Sequence, residues 1–226
     1  MGTMVEFKAN GRNGTGYLAT PPGGRGKGLI VVQEYWGLVD HIKDLAERFA
    51  KAGYVALSPD LYHGKTTKSP DEAGKMLMAL NIAEAGKDMK GSAEYLLASG
   101  AVTSKRVGIV GFCMGGALAM HAGLEYPELI AAVVDFYGIH PAVDIDAKRF
   151  RVPALGHFGK KDRSVSEESV QTLATSINGA GVGGSFEYHY YDAGHAFFND
   201  TRPVYSERDA KVSWQRTLDF LKAHVS

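Results

Sequence analysis

The chain has 226 residues, and its 25 lysines and arginines balance its 25 aspartates and glutamates. This length suits one domain with a sizeable core, so we predict a single domain over residues 1–226. The balanced charge, without a basic stripe, argues against nucleic-acid binding, and no apolar run is long enough to span a membrane. The chain has one cysteine, which excludes an internal disulfide.

Strands and helices are predicted to alternate along the chain. Two short strands, at 4–7 and 15–19, are joined by a turn over residues 10–14. Continuous apolar runs predict buried strands at 28–33, 54–58, 106–110, 129–136, 152–158 and 186–191. Apolar residues at helical spacing predict helices at 40–51, 117–122, 167–178 and 206–223, and a helical region over 70–99 with candidate breaks at Asn81 and Gly86. This order predicts an α/β fold with a mostly parallel, doubly wound sheet and helices on both faces.

The only cysteine lies in the stretch Gly111-Phe112-Cys113-Met114-Gly115-Gly116, between a predicted strand and a predicted helix. This is the context of a nucleophile elbow, with cysteine in place of serine. A residue on such a sharp turn has a strained backbone, so the residues two before and two after it must be small. Gly111 and Gly115 meet this requirement. The alternative is a buried cysteine that serves only as a small apolar side chain.

Polar residues follow several of the predicted strands, at the sheet edge where α/β proteins place their function. They are Glu34, Asp60, Cys113, Asp135, Asp162 and His195. A cysteine nucleophile needs a base to form the thiolate, and the base needs a carboxylate to orient it. Cys113, Asp162 and His195 occur in the order nucleophile, acid, histidine that this fold type uses. Asp135 and Asp192 are rival candidates for the acid.

The chain resembles the dienelactone hydrolases (carboxymethylenebutenolidases), a family with the α/β-hydrolase fold. Four stretches, in the family's order, carry the resemblance: Gln33-Glu34-Tyr35-Trp36-Gly37, Pro59-Asp60-Leu61-Tyr62, the elbow at 111–116, and Ala193-Gly194-His195. The resemblance covers essentially the whole chain. It implies that Cys113 is the nucleophile, His195 the base and Asp162 the orienting acid.

The resemblance also implies that Glu34 is an additional active-site carboxylate and that the backbone N–H groups of Tyr35 and Met114 form the oxyanion hole. A buried carboxylate near a thiol disfavours the thiolate, because two negative charges would then be close. Glu34 is therefore expected to hold Cys113 in a less reactive resting state, or to take its proton when substrate arrives. The alternative is a carboxylate at a strand end that pairs with a surface lysine.

Dienelactone is an anion, and family members that prefer it bind it with arginines, one of them four residues after the catalytic histidine. This chain has Asn199 at that position and Arg202 three residues later, and residues 63–90 contain no arginine. Asn199 and Arg202 are candidate substrate-binding residues, and the alternative for Arg202 is a surface position. We expect a pocket wall made of aromatic side chains, and its candidates are Tyr35, Trp36, Tyr62, Tyr137, Phe197 and Phe198. Such a wall suits uncharged esters and lactones better than anions.

We therefore predict a cysteine-dependent hydrolase of a small ester or lactone that acts through a thioester and needs no metal or organic cofactor. We expect no nucleic-acid or membrane partner, a monomer or homodimer, and, since residues 1–12 lack a signal-peptide core, a cytoplasmic location. The alternatives are a promiscuous carboxylesterase or activated-phosphoester hydrolase, and a redox-sensing thiol protein on a hydrolase scaffold. Whether residues 61–90 form a mobile lid or a fixed wall stays open.

Overall fold

The computed structural model describes residues 2–226, and an eight-stranded sheet forms its centre. The strands are β1 (Thr3–Ala9), β2 (Arg12–Ala19), β3 (Lys27–Val32), β4 (Tyr54–Pro59), β5 (Val107–Phe112), β6 (Ile130–Phe136), β7 (Pro153–Gly159) and β8 (Ser185–Tyr191). Their spatial order is β1-β2-β4-β3-β5-β6-β7-β8. The pairings from β4 to β8 are parallel, whereas β2 pairs antiparallel with both β1 and β4. The predicted mostly parallel sheet is confirmed.

Helices cover both faces of this sheet. They are α1 (Asp40–Lys51), α2 (Pro70–Ala79), α3 (Ile82–Ala98), α4 (Met114–Glu125), α5 (Glu167–Gly179) and α6 (Glu207–His224). Met89 of α3, Leu118 of α4 and Val170 of α5 belong to one buried apolar cluster. Phe49 of α1 and Leu221 of α6 belong to a second cluster on the opposite face. No helix within residues 2–226 is long and apolar enough to cross a bilayer.

The turn between β1 and β2 is shorter than predicted. Strand pairing continues to Ala9 opposite Arg12, which leaves only Asn10 and Gly11 in the turn. Both residues have positive φ, at 52° and 72°. Two consecutive left-handed residues match the tight two-residue turns that suit the twist of a hairpin, and asparagine followed by glycine is the sequence most tolerant of them. The predicted five-residue turn is therefore wrong.

The helical region over 70–99 breaks at one of its two candidate positions. Helix α2 ends at Ala79 and α3 begins at Ile82, after Asn81, whose side chain accepts a hydrogen bond of 3.1 Å from the backbone N–H of Glu84. This cap explains the break. Gly86 lies inside α3, and a Cβ there would be 3.2 Å from Nε2 of His121 on α4. Gly86 therefore permits a close approach of the two helices.

Candidate active site

Cys113 is the single residue between β5 and α4, and its backbone is in the left-handed region. Its φ is +55° and its ψ is −121°, a conformation that L-residues rarely adopt. A Cβ on Gly111 would lie 1.8 Å from the carbonyl oxygen of Gly115, and a Cβ on Gly115 would lie 2.5 Å from that of Gln33. The turn thus excludes any side chain at either position, as expected for a nucleophile elbow.

Cys113 lies at the N-terminal end of α4. Met114 is the first residue of α4, where backbone N–H groups have no acceptor within the helix and the helix dipole is positive. The thiol is partly exposed, so a small molecule can reach it. The backbone N–H of Cys113 donates to the carbonyl of Phe136 at 2.9 Å, which anchors the elbow to the end of β6.

His195 and Asp162 form a hydrogen-bonded pair on the loops that follow β8 and β7. Nδ1 of His195 lies 2.7 Å from Oδ2 of Asp162, whose side chain is completely buried. The other oxygen, Oδ1, accepts hydrogen bonds from the backbone N–H groups of Ser164 and Val165, at 2.7 and 3.2 Å. The backbone hydrogen bonds to Oδ1 therefore fix the Asp162 carboxylate, and its Oδ2 orients the imidazole of His195.

The protonation of His195 reflects this arrangement. Burial would lower the pKa of His195, but hydrogen bonds to Asp162 and Cys113, together with their negative charges, raise it to about 10. The imidazolium is thus stabilised by Asp162 on one side and by Cys113 on the other. This is the protonation state that a cysteine and histidine pair needs before it attacks a carbonyl.

The two rival acids are placed differently. The Asp192 side chain is 66% exposed and pairs with Lys161 at 2.9 Å, so it faces solvent. Asp135 is fully buried at the end of β6, and a Cβ on Gly116 would lie only 1.9 Å from its Oδ1. Burial raises the pKa of Asp135 to about 8, so its neutral form prevails at pH 7. Of the three candidates, Asp162 is the one within hydrogen-bond distance of His195.

Glu34 is buried just beyond the end of β3, with 1% of its surface exposed. Its Oε2 accepts a hydrogen bond of 2.8 Å from the side-chain amide of Asn199. Burial raises the pKa of Glu34 to about 7, although this amide and the positive charges of His195 and Arg202 oppose the shift. Its Oε1 is buried and has no hydrogen-bond partner among residues 2–226. Glu34 therefore changes charge near neutral pH and keeps one oxygen free.

Asn199 is not an open pocket residue as we expected. It is 2% exposed, and besides donating to Glu34 it accepts hydrogen bonds through Oδ1 from the backbone N–H and the hydroxyl of Thr201, at 3.0 and 2.6 Å. Its polar atoms are thus used within the protein. Glu34 and Asn199 are 165 residues apart in the chain, and no sequence pattern links them.

Three of the predicted wall residues have fully buried rings. Phe197, Phe198 and Tyr137 are 0%, 3% and 1% exposed, and contact with substrate stays a prediction for them. Their rings fill the core where the loop after β8 turns back over the sheet, and Phe198 packs 4.8 Å from Phe136. The centroid of the Tyr137 ring lies 5.1 Å from that of the His195 ring, so the tyrosine packs against the imidazole.

Three other predicted wall residues and Arg202 cluster near Glu34 and the elbow. The rings of Tyr35 and Trp36 are 4.4 Å apart, and the guanidinium carbon of Arg202 lies 4.0 Å from the Trp36 ring centroid. This is a cation–π contact, which holds the guanidinium against the indole. The Tyr62 hydroxyl donates to the sulfur of Met114 at 3.2 Å. This bond fixes the Met114 side chain next to the elbow.

A metal site is not apparent among residues 2–226, where no group of three His, Cys, Asp or Glu side chains is arranged to hold a metal ion. The site residues instead form a connected set of a thiol, an imidazole and a carboxylate at the carboxyl ends of parallel strands. A nucleophile elbow after β5, followed by an acid and a histidine at later strand ends, defines the protein as an α/β hydrolase. The predicted fold class is thereby confirmed.

Comparison with known proteins identifies the family. Residues 15–225 match the model of the dienelactone hydrolase family, and the chain belongs to that family. It is 37% identical over 233 residues to Protein usf of Aquifex pyrophilus, with both proteins covered completely. It is 33% identical over 232 residues to an Aquifex aeolicus protein provisionally named a carboxymethylenebutenolidase, again over the full length of both.

Solved structures agree with this assignment. A protein from Klebsiella pneumoniae, provisionally described as a dienelactone hydrolase, has a TM-score of 0.86 at 28% identity, covering 99% of this chain and all of that one. A dienelactone hydrolase-like promiscuous phosphotriesterase from metagenomic libraries has the same fold, with a TM-score of 0.84 at 21% identity, covering 100% and 99% of the two chains. The predicted family and enzyme class, an ester or lactone hydrolase, are confirmed.

Proposed function

We propose that the protein hydrolyses uncharged esters or lactones of small molecules, with Cys113 as the nucleophile. One observation carries this proposal: the connected path from buried Asp162, through His195, to a cysteine held in a left-handed elbow. A cysteine that served only as a small apolar side chain would need neither the strained backbone nor an oriented imidazole.

In the first half of the reaction the Cys113 thiolate attacks the carbonyl carbon of the ester, and the carbonyl electron pair moves to oxygen. The resulting oxyanion is stabilised by the backbone N–H groups of Met114 and Tyr35. Each such donor is typically worth a few kcal/mol in the transition state. As the tetrahedral intermediate collapses, the bond to the leaving alcohol oxygen breaks and His195 gives its proton to that oxygen. The products of this half are a thioester on Cys113 and a free alcohol.

In the second half a water molecule attacks the thioester carbonyl. His195 takes a proton from the water through the nitrogen that faced the thiol, while Asp162 stabilises the imidazolium that forms. The bond between carbonyl carbon and sulfur then breaks, the acid leaves, and Cys113 returns to its starting state. A lactone follows the same steps, except that alcohol and acid remain in one molecule.

Glu34 tunes this cysteine through its charge. With a pKa of about 7, Glu34 is largely neutral below pH 7 and ionised above it. The ionised form disfavours a nearby thiolate, whereas the neutral form does not. Asn199 donates to Oε2 and so stabilises the carboxylate, which makes Asn199 a positioning residue for Glu34 rather than a substrate contact.

The charges around the site favour a neutral substrate over an anionic one. The amide of Asn199 is committed to Glu34, and the guanidinium of Arg202 lies against Trp36. A carboxylate substrate would meet the negative charge of Glu34 in its ionised form. We therefore expect neutral nitrophenyl esters and neutral lactones to be hydrolysed faster than anionic lactones.

The test is the hydrolysis of nitrophenyl acetate by wild type, Cys113→Ala and Arg202→Ala. Turnover by the wild type and its loss in Cys113→Ala are expected, and undiminished turnover in Cys113→Ala would overturn the proposal. Reversible oxidation of Cys113 without turnover of any ester would favour the thiol-sensor alternative. A strong preference for anionic lactones that survives Arg202→Ala would contradict the argument on substrate charge.

Hydrolysis of activated phosphoesters is a second candidate, because a structural relative with this fold is described as a promiscuous phosphotriesterase. The same thiolate and oxyanion donors would then act on phosphorus. A nitrophenyl phosphotriester in the substrate panel distinguishes the two activities. We expect the carboxylic ester to have the higher kcat/KM.

A further inference from the structure

A groove runs along α4 away from the nucleophile, and we call it the α4 groove. Its inner part, a cavity of about 120 Å³, lies between the start of α4, the loop after β6 and the junction of α2 with α3. Its outer part, about 570 Å³, continues between α4, the same loop and α5. Ala117, His140 and Val143 line both parts, so the two cavities share a wall.

The inner part has one residue of the elbow on its lining. Met114 lines it and is the residue directly after Cys113, and Ala117 lies one helical turn further along α4. The hydrogen bond from Tyr62 to the Met114 sulfur fixes the side chain that forms this end of the groove. A substituent on a carbonyl carbon bound at Cys113 therefore reaches the α4 groove if it points along α4.

The lining of the inner part is apolar. Leucine, isoleucine, valine, methionine and alanine form it, and the only other side chain among its described lining residues is His140, whose Nδ1 accepts a hydrogen bond of 3.1 Å from the N–H of Ala142. No lysine, arginine, aspartate or glutamate lines it. A charged substituent would lose its hydration there without gaining a partner, whereas an alkyl chain would gain by burial.

The outer part adds a preference of charge. Asp144 and Glu168 are on its lining, and no lysine or arginine is among the described lining residues. An anionic end group that extended beyond the inner part would meet these carboxylates, while an uncharged or short chain would not. Both the apolar inner part and the acidic outer part therefore disfavour an anionic chain.

We propose that the inner α4 groove is the acyl-chain subsite of the enzyme and selects esters of uncharged, unbranched acids of medium length. This inference rests on the proposed function, because it requires an acyl group on Cys113. The inner part has a volume of only about 120 Å³, so it admits a short alkyl chain. Ester preference should therefore increase with chain length up to about the hexanoate and then level off.

The experiment compares kcat/KM for nitrophenyl acetate, butyrate, hexanoate and octanoate. In the wild type we expect kcat/KM to rise by up to about fourfold for each added methylene, as far as hexanoate. Val143→Trp fills the wall that both parts share, and we expect it to reduce the ratio of hexanoate to acetate at least tenfold. Lys148→Trp places the same bulk at an exposed site on the same loop and should leave that ratio unchanged. Ala142→Phe, at an exposed residue on the inner wall, is a second blocking variant if Val143→Trp does not fold.

The outcomes separate this inference from the function on which it rests. If no nitrophenyl ester is hydrolysed in a manner that depends on Cys113, the proposed function fails. If acetate is hydrolysed through Cys113 but kcat/KM does not rise with chain length, the acyl-chain subsite is overturned and the proposed function stands. A rise that persists in a folded Val143→Trp or Ala142→Phe variant would also overturn it.

Discussion

Replacing Asn199 with leucine removes the hydrogen bond to Glu34 while keeping the branching and the number of heavy atoms of the side chain. In the wild type this amide donates to Oε2 of Glu34 at 2.8 Å, and both residues are buried. The carboxylate loses this donor in Asn199→Leu, but the neutral carboxylic acid loses much less. The substitution therefore raises the pKa of Glu34.

The size of this shift follows from the geometry. A hydrogen bond to a charged group is worth about 1.5–3 kcal/mol, and each pKa unit corresponds to about 1.4 kcal/mol. Loss of the Asn199 bond should thus move the pKa of Glu34 from about 7 to roughly 8–9. Between these values Glu34 is ionised in the wild type and neutral in Asn199→Leu. In that window, therefore, the variant lacks the negative charge that disfavours the Cys113 thiolate.

The assay is the rate of alkylation of Cys113 by iodoacetamide from pH 5 to pH 10. The chain has one cysteine, so every modification reports on this site. Between pH 7 and pH 9 we expect Asn199→Leu to react faster than the wild type, and below pH 6 we expect equal rates. Glu34→Gln, which has no titrating group at this position, should lack the inflection near pH 7 and react fastest at pH 8.

Superimposable profiles for the wild type, Asn199→Leu and Glu34→Gln would refute the reasoning, because Glu34 would then have no influence on the thiol. A slower reaction of Asn199→Leu at pH 8 would refute it as well, since the predicted sign would be wrong. Thermal melting of each variant shows whether the fold is retained.

Two further predictions concern the acid and the elbow. Asp162→Asn should lower kcat for ester hydrolysis by a factor on the order of 10³ to 10⁴ with a native circular dichroism spectrum, because the imidazolium loses its buried carboxylate; a loss below tenfold would indicate another acid. Gly115→Ala should abolish activity and lower Tm, because its Cβ would lie 2.5 Å from the carbonyl oxygen of Gln33. Gly74→Ala in α2, where a Cβ meets no atom within 4 Å, is the matched control and should keep activity and raise stability by up to about 1 kcal/mol; equal effects of the two substitutions would contradict the steric argument.

The sequence alone was sufficient to predict the mostly parallel sheet. It was also sufficient to predict that Cys113, Asp162 and His195 follow one another along the chain at strand ends. Buried parallel strands appear as continuous apolar runs, and the elbow requires glycine at two fixed offsets, so both features are local in sequence. The partner of Glu34 was not predictable, because Asn199 is brought to it only when β3 and the loop after β8 meet at one sheet edge.

The burial of Phe197 and Phe198 was missed for a related reason. Aromatic residues after a catalytic histidine can face either a pocket or the core, and the direction depends on how the loop turns. Here Ala196 has a φ of +61°, and the two aromatic rings that follow pack into the core. The α4 groove was also beyond sequence reasoning, since its walls come from four separated segments.

The most direct test of the central claim is the mass of the intact protein after rapid quenching with acid during turnover of nitrophenyl butyrate. The account predicts one butyryl group per chain, located on the peptide that contains Cys113 and released by hydroxylamine at neutral pH, as a thioester is. In His195→Gln both the formation and the hydrolysis of this adduct should be slower, because His195 acts in both halves of the reaction. A butyryl group on another residue, or continued turnover in Cys113→Ala, would contradict the account.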